Sequence, residues 1–127
     1  MPDLPPDAEP RSPFLDFEFR SGIEVLVGGD ESRTELARRI IDCREAVVAM
    51  AVRLLENFMR DRGRFGLNTI EVFPDRTADS GDFVVRFSFT ADHDRDEYGY
   101  TYFEVYFNYH EPPQEPFWPF KFTVGFH

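Results

Sequence analysis

The sequence predicts an α+β domain in which one long α-helix packs against a curved antiparallel β-sheet, in the order β-β-α-β-β-β-β. Three observations carry this expectation. Residues 31–63 repeat apolar side chains at helical spacing, the runs on either side of them alternate apolar and polar residues, and clusters of turn residues separate those runs.

Residues 1–13, MPDLPPDAEPRSP, hold five of the ten prolines and few large apolar groups. Such a stretch cannot repay its ordering entropy, so a disordered tail is expected, followed by a single domain over 14–127. FLDFEFRSGIEVLV then alternates, with Leu15, Phe17 and Phe19 on one face and Ile23, Val25 and Val27 continuing it past Ser21-Gly22. This spacing predicts a β-hairpin.

The period changes next. Ser32 and Glu35 have capping-box spacing, and Leu36, Ile40, Cys43, Val47, Met50 or Ala51, Leu54 and Phe58 recur every three to four residues as far as Gly63. Ile41, Val48, Val52, Leu55 and Met59 widen the stripe, which predicts a sheet that curves around the helix, with the helix's arginines in solvent. Four strands are expected after it. They are 69–73; 82–90 with Phe83, Val85, Phe87 and Phe89 inward; 100–109 with Phe103, Val105 and Phe107 inward; and 117–126 with Trp118, Phe120, Phe122, Val124 and Phe126 inward.

The 127 residues include 21 aromatics, 15 of them Phe, which is ample material for one core. Cys43 is the only cysteine, so no internal disulfide forms and a reducing compartment is expected. The start lacks a basic residue followed by an apolar stretch, and no run approaches the ~20 apolar residues of a membrane span, so a cytoplasmic protein with no membrane partner is expected. The net charge of −10 argues against nucleic acid as a partner. It is uneven: seven acids and two bases in 1–30, six and eight in 31–64, and eleven and four in 65–127.

Chemical motifs are sparse. Asp92, Asp94 and Asp96 have the spacing that opens an EF-hand loop, but Glu97 stands where the glycine belongs and Phe103 where the bidentate Glu belongs. The three are weak metal candidates, and a solvated turn is the expected reading. His93, His110 and His127 have no metal-cluster spacing, and Cys43 falls in the apolar helix stripe as a buried structural thiol. No nucleophile elbow, phosphate loop or dinucleotide fingerprint occurs, so neither a cofactor nor an enzymatic activity is expected.

The outward side of the strand at 100–109 says more. Tyr100, Tyr102, Glu104 and Tyr106 share it, and an in-phase register sets Arg86 opposite Glu104 and Lys121 opposite Tyr106. This is either a half-exposed sheet face or a partner-binding face, since Tyr gives large contact area at low entropic cost.

A helix wrapped by an antiparallel sheet resembles cystatin-like architecture. VLVGG at 25–29 and FWP at 117–119 echo that family's loops, although here Gly-Gly precedes the helix. The resemblance covers architecture alone and implies no function. Two function classes follow from the residues. The first is a small non-enzymatic interaction protein of inhibitor, immunity or regulatory type, monomer or homodimer, that binds a basic protein partner through its open sheet face. The alternative is a small-molecule-binding or catalytic module with an apolar pocket between helix and sheet.

Overall fold

The computed structural model describes residues 8–10, 17–19, 24–29, 31–59, 63–91 and 101–126. It is an α+β fold with an open, mostly antiparallel sheet and two helices. In chain order these are β1 (Ala8–Pro10), β2 (Phe17–Phe19), β3 (Glu24–Val27), α1 (Glu31–Asp42), α2 (Arg44–Phe58), β4 (Gly63–Thr77), β5 (Gly81–Ala91), β6 (Thr101–Tyr109) and β7 (Phe117–Phe126). Spatial order follows sequence order from β1 to β7. The five strands β3 to β7 form the body of the sheet, and the three-residue strands β1 and β2 extend one edge. No helix among the described residues is long and apolar enough to cross a membrane.

The expected hairpin pairs Phe17 with Val25, while its turn at Ser21-Gly22 lies outside the described residues. β1 falls within the stretch expected to be a tail, where Ala8–Pro10 pairs with Phe17–Phe19. One pair departs from the antiparallel expectation: β3 runs parallel to β4, with Val25 beside Ile70. The two helices carry the chain back along the sheet between them, and a crossover of that length permits a parallel neighbour.

The single long helix is divided at Cys43. There φ is −109° and ψ is 18°, and the Cys43 amide is shared between the Arg39 and Ile40 carbonyls at 3.1 and 3.2 Å. The break divides the helical layer, with α1 lying on β3 and β4 and α2 on β7. Both departures, the divided helix and the parallel pair, take the chain away from a cystatin-like plan.

The break also overturns the reading of Cys43 as a core thiol, because its side chain is exposed at the corner. Leu36, Ala37, Ile40 and Ile41 of α1 and Val47, Ala51 and Leu55 of α2 fill the core instead. Three smaller corrections accompany it. Ser32 lies inside α1 and is not its N-cap, and Glu35 pairs with Arg38 and Arg39 at 3.1 and 3.7 Å. α2 ends at Phe58, whereas Gly63 opens β4.

Against the helices pack Phe83, Phe87, Phe103 and Phe107, all fully buried, with Phe83 and Phe107 stacked at 4.9 Å across β5 and β6. Each such side chain contributes about 1.5 to 3 kcal/mol by leaving water. The inward assignments for β5 and β6 therefore hold.

A single buried carboxylate ties the end of the sheet to the helix layer. Asp82, 3% exposed, sits where the β4–β5 register breaks between Val72 and Thr77. Its Oδ1 accepts from Arg33 Nη1 at 3.1 Å, and its Oδ2 accepts from Arg76 Nε and Nη2 at 2.9 and 2.7 Å and from the Tyr109 amide at 2.7 Å. Arg33 Nε also donates to the Pro74 carbonyl at 3.1 Å, and Arg76 to the Tyr109 carbonyl. Arg33 is thus largely buried and not the solvated arginine expected on the helix, because a buried carboxylate needs a charged partner.

Two outcomes follow from this packing. Cys43 in folded protein reacts with a thiol reagent at nearly the rate of unfolded protein, and strong protection would restore the core assignment. Asp82→Asn lowers the unfolding free energy by about 3 kcal/mol in denaturant titration, as expected when one partner of a buried ion pair is removed; a loss of a few tenths would show that Arg33 and Arg76 need no counter-charge.

Candidate functional site

The sheet face turned away from the helices is built by alternation. On β6 the side chains of Phe103, Val105 and Phe107 enter the core, so those of Tyr102, Glu104 and Tyr106 point the other way. The pairing matches the sequence-based expectation, with Arg86 opposite Glu104 and Tyr106 opposite Lys121. Tyr102 lies 38% exposed with its ring across Gly125, where any Cβ would collide with it.

The centre of this face satisfies its own polar groups. Glu104 accepts from Arg86 Nε at 2.8 Å, from Thr123 Oγ1 at 2.8 Å and from the Tyr106 hydroxyl at 3.1 Å, and Arg86 Nη1 also meets Glu71 at 2.9 Å. Burial pushes the Glu104 carboxyl up, but the hydrogen bonds from Arg86, Thr123 and Tyr106 and the Arg86 charge outweigh it and hold the group below its ordinary value. The Tyr106 hydroxyl moves up, through burial and then the Glu104 charge. Val84, paired with Glu71 on one side and Tyr106 on the other, is fully buried, flanked by the Phe73 and Tyr106 rings stacked at 6.4 Å. Lys121 Nζ lies 4.4 Å from the Tyr106 ring centroid and donates to the Asp79 carbonyl.

β7 supplies what the sequence reading missed. Trp118 and Phe120 were expected inward, yet they are 48% and 41% exposed. The reason is a bulge: Tyr106 pairs with Lys121 but Phe107 pairs with Pro119, leaving Phe120 as the extra residue. The phase flips there, so Phe117 is buried and Trp118 turns out beside Asn108, while Phe122 and Val124 stay against the core as expected. Pro119 was the available signal, since proline within a strand marks an edge or a bulge. Phe120 is held over Gly81, whose φ of +67° favours glycine and where a Cβ would meet the Phe120 ring at 2.5 Å and the Phe107 carbonyl at 2.6 Å. Trp118 donates Nε1 to the Glu115 carbonyl at 2.6 Å, and His110 packs against its ring at 84°, centroids 5.8 Å apart.

Exposed acids stand near these rings: Asp75 toward the end of β4, Asp79 in the β4–β5 turn, and Glu111 and Glu115 between β6 and β7. Of the residues singled out from sequence, Arg86, Glu104, Tyr106 and Lys121 form one connected cluster, and Tyr102 lies on the same face. Tyr100, Asp92, Asp94 and Asp96 lie outside the described residues, as do His93 and His127. Among the described residues, no three His, Cys, Asp or Glu side chains converge as a metal set.

The carboxyl chemistry has a pH consequence. Burial raises and the surrounding donors, Arg76 first for Asp82 and Arg86 first for Glu104, more than reverse it, so both groups sit lower in the folded than in the unfolded chain. Their stabilisation is therefore present above the unfolded carboxylate range, about pH 4, and is lost as pH falls through the folded values. Glu104→Gln flattens the acid limb of stability measured as urea midpoints at successive pH, and a limb as steep as the parent's would contradict it.

No family model matches the chain, and no curated protein or solved structure matches it.

Proposed function

We propose that the protein is a non-enzymatic interaction module that binds a basic protein partner through the open sheet face, with Trp118 and Phe120 as the anchoring side chains. The observation that supports this most is the outward turn of β7, which holds two large aromatic rings in solvent beside the Tyr106–Lys121 pair. Two exposed aromatics two positions apart on one strand are costly in water and suited to an interface, where Trp and Tyr dominate binding energy. The acidic turns on either side and the overall charge of −10 favour a basic partner by steering and complementarity. Arg86, Glu104 and Tyr106 form the floor of the face. Their mutual bonds keep the surface in one conformation, so little ordering is required on binding. The space between helices and sheet, where the alternative reading places a pocket, is occupied by Phe83, Phe87, Phe103 and Phe107.

The test pairs capture with stability. Immobilised parent protein and the Trp118→Ala, Phe120→Ala and Tyr102→Ala variants are compared for retention of proteins from a lysate and for denaturant midpoint. The expected result is a basic protein whose affinity for the Trp118 and Phe120 variants falls by about 30-fold or more, the effect of a hot-spot residue, with midpoints close to the parent's. Equal retention by parent and variants would remove the reading.

A further inference from the structure

Resting on that reading, we infer that the group the partner brings to Trp118 is an arginine side chain, carried on an arginine-rich segment that lies along the turn between β6 and β7. The same face already displays this chemistry internally: Lys121 places its ammonium 4.4 Å from the Tyr106 centroid and uses the Asp79 carbonyl as its acceptor. Trp118 offers a second such ring: among the described residues no lysine or arginine is seen over it, and His110 meets it edge-to-face. Its indole is the best aromatic surface for a cation, it is 48% exposed, and the hydrogen bond to the Glu115 carbonyl fixes its orientation. The turn that carries it has exposed carboxylates at Glu111 and Glu115 and no lysine or arginine between Tyr109 and Trp118. A guanidinium suits this setting better than an ammonium. It stacks flat on an indole, is more weakly hydrated, and presents a planar fork of donors to a carboxylate of the same turn. Phe120, held over Gly81 and 41% exposed, stands two residues further along the strand from the turn and offers apolar surface for the aliphatic part of the incoming side chain.

Trp118 is the sole tryptophan, so its emission reports on this position alone. The full chain is titrated with an octa-arginine peptide, an octa-lysine peptide and an octa-glutamate peptide, and the parent is compared with Glu111→Gln/Glu115→Gln and with Glu45→Gln/Glu56→Gln, whose acids lie exposed on α2. The expected result is a saturable change in Trp118 emission with octa-arginine, weaker with octa-lysine, and absent with octa-glutamate. Affinity should drop about tenfold when both turn charges are removed and change less than about twofold when the α2 charges are removed, with melting temperatures unaltered. No saturable change, or equal weakening by the two double variants, overturns the inference, the latter because it would show attraction by net charge alone. If octa-arginine fails while Trp118→Ala still loses a captured protein, the interaction reading stands and the arginine contact falls.

Discussion

The Asp82 carboxylate is the interaction on which the arrangement of this end of the molecule depends. It gathers Arg33 from α1, Arg76 from β4 and the Tyr109 amide from β6, and it does so from the second residue of β5. A carboxylate so deeply placed is tolerable only when its lone pairs are taken by charged and backbone donors, and here they are. The pull of each donor is local, yet the sum defines where the helix layer meets the sheet. It also places Gly81, the preceding residue, and hence the surface on which Phe120 rests.

The second constraint is the bulge in β7. Side-chain direction in a strand has period two, so one extra residue reverses every assignment on one side of it. Up to Phe122 and Val124 the strand serves the core; beyond the bulge, toward its start, Phe117 takes that role and Trp118 and Phe120 are released to the outside. β7 is also the edge strand of the sheet, and Pro119, Lys121 and the bulge blunt its tendency to pair with another chain.

Most of the fold was legible because β5 and β6 carry strict alternation of Phe and Val against polar residues, which left one consistent register and placed Arg86 opposite Glu104. What was hidden were features without a periodic signature. Cys43 continues the apolar stripe of the helix, and no proline or glycine stands between 31 and 58 to mark a break. Asp82 reads as an ordinary strand-opening acid, since its two arginines lie 49 and six positions away in sequence. Trp118 and Phe120 alternate correctly with Phe122 and Val124, so the pattern pointed inward, and the single proline between them was the one residue that argued otherwise. Local periodicity reports which faces a segment has; long-range charge pairing and a one-residue insertion decide which face is used.

The candidate face therefore divides into a part that is closed and a part that is open. Glu104 is engaged by Arg86 and Thr123 from the two adjacent strands and by Tyr106 from its own, and a partner would have to break these contacts to gain new ones there. Such an exchange is close to neutral in free energy, because each bond lost offsets the one formed. At Trp118 and Phe120 no comparable exchange is required: the rings are in water, and covering them removes apolar area at no cost in internal bonds. The Glu104 cluster is thus a framework, and the exposed aromatic area of this face lies around it, at Tyr102, Trp118 and Phe120.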